Sequence, residues 1–302
     1  MQSRRSIYHY TNAAGLQGII QDNGLRASGA YYLNDSSEIE HGCTLLQGVF
    51  REWLDPNAKS DSLPINVIRR LDSIFGRSQA RSSRVSTIYV ACLCEKGNLL
   101  SQWRAYGQAG GYSIEFTVRP SSLGIVSPGG FSDPVLRKVE YDERVQRKRL
   151  HKVLMASVET LEKPNTVALS AKLAPQEQEE FLQNVVLILY ESLLDEIVTF
   201  KNPAFEEEQE WRLVVRPRLL APVREPDTPH ETPVKFRSSR GILVPYIELR
   251  PPKTEKLPIN SIRYGPSLNP LRAESSLCSF LLVNGFSQDR ISIDGCTTPV
   301  IL

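Results

Sequence analysis

The run from Ser86 to Glu95, STIYVACLCE, constrains the fold more than any other stretch of the chain. It is almost continuously apolar over the length of one strand, the composition of a strand buried on both faces. Such a strand needs neighbours at its edges and packed layers on its faces, so the chain must be built around a sheet. Its end delivers Cys94 and Glu95 to a strand terminus.

A second segment, Glu208 to Val215 (EQEWRLVV), has a different pattern. As a strand it alternates, with Glu208, Glu210 and Arg212 on one face and Gln209, Trp211 and Leu213 on the other. Two carboxylates and a guanidinium then share one surface. Burying unpaired charge costs several kcal/mol or more, so that surface is expected to face water or a polar cleft. An edge strand guarded by charge, or a surface Glu–Arg pair, would account for the same residues.

Other strands are predicted at Ser6–Tyr10, Leu25–Leu33, Tyr112–Val118, Val135–Tyr141, within Val234–Leu249, at Ile259–Gly265 and at Ile291–Ile293. Leu16, Ile19 and Ile20 repeat at helical spacing between an N-cap at Thr11 or Asn12 and a stop at Asn23-Gly24. Asn34, Asp35 and Ser36 can cap a helix running to about Leu54. Residues 143–200 are helical in pattern. Leu150, Val153, Leu154, Val158 and Leu161 keep helical spacing, and Phe181, Val185, Leu189 and Leu193 form one apolar stripe in a helix from about Pro175 to Val198. A last helix spans Ser275–Asn284 and stops at Gly285. The expected fold is α+β with mixed and antiparallel sheets, in a single domain of residues 1–302 with a helical insertion at about 143–200.

Composition narrows the function classes. A net charge of +2 lacks the basic excess of a protein that coats nucleic acid. Five scattered cysteines suit reduced thiols and hence a cytoplasmic location. No run approaches the roughly 18 apolar residues of a membrane span, and no apolar signal core follows the N-terminus. Neither glycine-rich phosphate loop, GxxxxGK[ST] or GxGxxG, occurs. The four histidines are too dispersed for a zinc site, so no metal is expected. Cys94 with His9 would make a nucleophile pair, although an inert buried thiol explains Cys94 equally.

What remains is an aromatic and polar set: Tyr8-His9-Tyr10-Thr11, Asn34-Asp35, Trp103 and Tyr106, and the Glu208, Glu210, Arg212 strand. It suits a site that stacks a flat ring, holds ribose hydroxyls through His and Thr, and sets a carboxylate beside a developing positive charge.

The order YHYT, a Gly-Leu after the first helix, LNDxxE, WxxYG followed by GYSIEF, FxxExEWR and a terminal Cys-Thr-Thr-Pro resembles, over nearly the whole chain, the bacterial domain-of-unknown-function family numbered 2971. Two departures stand out: ACLCE replaces a serine-rich strand end before Trp103, and Thr297-Thr298-Pro299 replaces a Ser-x-x-Pro pattern. The layout, with His-x-Thr on the first strand and a glutamate on a late one, is also similar to that of ADP-ribosyltransferases. That likeness implies a sheet of ADP-ribosyltransferase-like type and NAD as substrate. His9 and Thr11 would hold its ribose and amide, and Tyr10, Trp103 or Tyr106 would stack on nicotinamide. Glu210 would be the catalytic carboxylate, with Glu208 as rival. Arg212 would grip the pyrophosphate or hold Glu210 in place. Asn34 and Asp35 complete the expected binding set.

The function expected is therefore an ADP-ribosyltransferase-like enzyme, a toxin or phage-defence effector, with a protein, nucleic acid or water as acceptor and a regulatory protein partner. Two alternatives stand beside it. One is a nucleotide sensor without chemistry, and the other a nuclease-like effector binding Mg²⁺ through Glu206–Glu210 and Asp35.

Overall fold

The computed structural model describes residues 5–33, 37–76, 88–106, 110–118, 123–217, 233–239, 241–266, 269–287 and 290–297. Contacts divide the chain into two compact units, one of residues 1–32, 87–139 and 206–302, the other of residues 33–86 and 140–205.

The first unit holds the sheet. Its strands are β1 (Arg5–Thr11), β2 (Leu25–Gly29), β3 (Tyr89–Cys94), β4 (Tyr112–Val118), β5 (Val135–Lys138), β6 (Glu210–Val215), β7 (Lys235–Ser239), β8 (Ile242–Leu249), β9 (Ile259–Tyr264) and β10 (Ser292–Gly295). They run in the order β10-β9-β4-β1-β3-β2-β8-β7, with β6 also on β3 and β5 on β6. The sheet is mixed, because β10 pairs parallel to β9 whereas β4 pairs antiparallel to β1 and β9. The apolar run is central, as its composition requires. One edge of β3 pairs with β6 from Tyr89↔Val215 to Cys94↔Glu210. The other edge is shared: β2 takes Tyr89 and Val90, and β1 takes Cys94.

Strand alternation gives the sheet one apolar face. Ile7, Ala27, Ala91, Leu93, Ile114, Leu213, Ile247 and Ile262 all lie in one buried cluster. Helix α1 (Ala13–Gln21) contributes Leu16, Ile19 and Ile20 to it; Asn12 caps this helix through its side chain on the Gly15 amide. At about 25 cal/mol per Å² of apolar area removed from water, such a face is the main source of stability of this unit.

The second unit is helical: α2 (Ser37–Leu54), α3 (Leu63–Gly76), α5 (Glu143–Leu161), α6 (Pro164–Lys172) and α7 (Pro175–Ile197). Helix α4 (Leu100–Tyr106) and helix α8 (Pro270–Val283) belong to the first unit. The helical region is thus broader than the stretch 143–200 read from the sequence, since residues 33–86 join it. Phe75 packs on Phe50 and Tyr190, with ring centroids 6.1 and 4.8 Å away. Inside this unit Lys201 Nζ lies 2.9 Å from Glu38 Oε1, both side chains being buried. The buried Gln146 donates to the carbonyls of Glu140 and Lys201 and meets His41 Nε2 at 2.9 Å.

Several expected boundaries shift. The strand expected over Val135–Tyr141 stops at Lys138, and α8 begins at Pro270, where Asn269 caps it and proline suits a first turn. Among the described residues no helix is long and apolar enough to cross a membrane.

Candidate functional site

The face of the sheet opposite the apolar core carries the chemistry. Directly paired residues in neighbouring strands project to the same side, so register alone defines rows across the sheet. One row reads Ser292, Ser261, Glu115, Tyr8, Cys94, Glu210, through β10, β9, β4, β1, β3 and β6. The next row on β3 and β6 pairs Cys92 with Arg212, and Arg137 on β5 lies opposite Arg212.

Glu210 and Arg212 form a fork. Arg212 Nε donates to Glu210 Oε1 at 2.7 Å and Nη2 donates to Oε2 at 3.0 Å. The side chains keep only 7% and 1% of their exposure. The expectation that this face lies open to water is therefore corrected: the charges are buried, and mutual pairing is what makes that tolerable. Glu208 is corrected as well. It ends a 3₁₀ segment (Pro203–Glu208), and Gln209 at φ 45° interrupts extended geometry, so alternation begins at Glu210. Its carbonyl accepts from the Cys94 thiol at 3.0 Å, which keeps the segment beside the row. Burial, reinforced by Glu208, Glu210 and Glu95, raises the Cys94 thiol to about 11.

Tyr8, outside the binding set that the family likeness implies, lies between Glu115 and Cys94. Its ring packs so closely on Gly97 that a methyl there would run into it. Glu115 accepts from Ser6 Oγ at 2.5 Å and from Ser261 Oγ at 2.6 Å. Burial and the Glu115 carboxylate both raise the Tyr8 hydroxyl. The signal was in the sequence, because Tyr8 alternates in step with Tyr10 and not with His9.

Tyr10 and Trp103 do meet, edge to face at 5.1 Å, but as packing. Both are buried; Tyr10 Oη donates to the Lys96 carbonyl and accepts from the Leu99 amide, and Trp103 Nε1 donates to Asn98. Both rings are thus part of a small buried cluster with Cys94 and Leu99. Tyr106, at the end of α4, is exposed.

His9 and Thr11 turn to the other side. They alternate with Tyr8 and Tyr10, and so share the face of Ile7. His9 Nδ1 lies 2.9 Å from the Cys92 carbonyl across the β1–β3 divide, and desolvation lowers the pKa of the ring. The same alternation separates His9 from the Cys94 thiol. The dinucleotide pocket drawn from His9, Thr11 and Glu210 is therefore not brought together on one face. Asn34 and Asp35 lie outside the described residues.

The extended stretch from α4 to β6 contains both the WxxYG–GYSIEF segment and ExEWR. Residues 102–213 match the family model described as "Protein of unknown function (DUF2971)". The resemblance read from the motifs is thus supported over this span, which includes Glu115, Glu208, Glu210 and Arg212. The opening YHYT and LNDxxE lie before the DUF2971 match. No curated protein and no solved structure matches the chain. Among the described residues, no group of three or more His, Cys, Asp or Glu is arranged to hold a metal ion.

The end of β3 is tied down by a charged cluster. Glu95 accepts from Trp211 Nε1 at 2.8 Å and pairs with Lys138 at 3.0 Å and with Arg5, whose guanidinium lies 4.2 Å from the Trp211 ring centre. Burial acts against the Glu95 charge, but Trp211, Lys138 and Arg5 outweigh it and lower its pKa.

Proposed function

We propose that the protein is an ADP-ribosyltransferase-like enzyme that cleaves the nicotinamide N-glycosidic bond of NAD, with Glu210 as the stabilising carboxylate. The observation that carries the reading is the Glu210–Arg212 fork on the polar face of the sheet. The charge-assisted fork holds the carboxylate in one orientation, so the anion is preorganised before any substrate arrives. Held in a low-dielectric strand, it would stabilise an oxocarbenium-like charge more than a hydrated carboxylate does.

The residue roles change from those the family likeness implied. Tyr8, in Glu210's row, takes over the stacking role first assigned to Tyr10, Trp103 and Tyr106. Arg212 acts as a positioning residue for Glu210, and His9 and Thr11 have no part at that face.

The test is release of free nicotinamide from NAD by the purified chain. Glu210→Gln is expected to lower the rate at least about a hundredfold, the scale for losing one preorganised electrostatic stabiliser. Thermal melting of the same variant must show it folded. Wild-type protein that releases no nicotinamide refutes the reading; stabilisation by NAD without release would instead indicate a sensor.

A further inference from the structure

A second candidate site lies at the other end of the sheet, at β7, β8 and the segments beside them. A cavity of about 610 Å³ opens there, lined by Lys235, Glu248, Arg250, Lys253 and Ser127 together with four prolines. None of these residues belongs to the row containing Glu210. The frame is fixed by backbone pairing: Lys235 lies on β7 against β8, and Val126 and Arg250 exchange amide–carbonyl hydrogen bonds at 2.8 and 3.0 Å.

The charge in the lining is unbalanced. Lys235 Nζ and Arg250 Nη2 both donate to Glu248 Oε2, at 2.9 and 2.7 Å, and these cations lower the pKa of Glu248 against the effect of its burial. Lys253 adds a third cation, so among the described lining residues three positive groups stand against one carboxylate, an excess of two. The Ser127 hydroxyl is buried with no hydrogen-bond partner among the described residues. The prolines supply rigid apolar wall. The volume falls within the roughly 300–1,000 Å³ of small-molecule sites.

We infer that this cavity binds a small phosphate monoester, with the phosphate on Lys253, Arg250 and Lys235 and a ring or sugar against the prolines. The charge selects the class. A phosphate monoester carries about −1.5 to −2 at pH 7 and matches an excess of two, which a single carboxylate does not. Its several acceptor oxygens also suit lysine and arginine donors.

Isothermal titration of the full chain with 5′-AMP, ribose 5-phosphate, adenosine and inorganic phosphate tests this. AMP is expected to bind at least tenfold more tightly than adenosine and than inorganic phosphate. Lys253→Ala should weaken AMP at least tenfold without moving the melting temperature, and Lys253→Arg should restore most of the loss. Three outcomes overturn the inference: neither AMP nor ribose 5-phosphate binds below about 1 mM, adenosine or inorganic phosphate binds as well as AMP, or Lys253→Ala leaves AMP binding intact. Nicotinamide release is a separate readout, so failure here and failure of the Glu210 reading are distinguishable.

Discussion

Replacing Arg212 with Met isolates the physics of the buried pair. The guanidinium is 1% exposed and forks Glu210, itself 7% exposed, at 2.7 and 3.0 Å. Methionine approximates the length of the side chain but leaves the carboxylate buried without this partner, beside the Cys94 thiol. Breaking a buried pair from one side costs about 3–5 kcal/mol. For a unit of this size that corresponds to a fall in melting temperature of roughly 6–20 °C. The assay is thermal unfolding of wild type, Arg212→Met, Glu210→Leu and the double variant. The double variant should recover most of the loss, because an apolar pair of similar volume carries no desolvation penalty. A fall of less than about 1 kcal/mol in Arg212→Met, or strict additivity in the double variant, would refute the argument that the two charges compensate each other.

Four further outcomes follow from the same geometry. Trp103→Ala should cost about 3–5 kcal/mol in urea unfolding, since the ring is buried and packs edge-on to Tyr10; a near-neutral change would contradict its role as core. Gly97→Ala should destabilise by about 1–3 kcal/mol, because the added methyl meets the Tyr8 ring, and Tyr8→Ala in the same background should relieve much of that. His9 has a lowered pKa in the folded state, so unfolded chain binds more protons just below pH 6.5; stability should rise with pH up to about 6.5, and His9→Gln should flatten that rise. Cys94, with its thiol at about 11, should resist iodoacetamide at pH 8 in native protein and react after denaturation, which mass spectrometry of the labelled peptides will show.

The legibility of this chain was uneven for physical reasons. The centrality of Tyr89–Cys94 follows from its composition, because only a strand flanked on both edges can bury so continuous an apolar run. The α1 cap at Asn12 and the stripe of Leu16, Ile19 and Ile20 were equally local signals. Glu208 misled because one positive-φ residue, Gln209, resets the alternation, and nothing in the side chain of glutamine announces it. His9 and Tyr10 enter one expected site because they are adjacent in sequence, although adjacency in a strand puts side chains on opposite faces.

Sequence alone therefore made many of the strands and helices legible, since hydrophobic period and capping act over a few residues, but not the 3₁₀ segment that ends at Glu208. Tertiary structure decided which strands are neighbours, and hence that Glu115, Tyr8, Cys94 and Glu210 stand in one row while His9 does not. It also decided that Glu210 and Arg212 are buried partners. Register across a sheet is a relation between distant segments, fixed by the packing of one common apolar face, and no single segment encodes it.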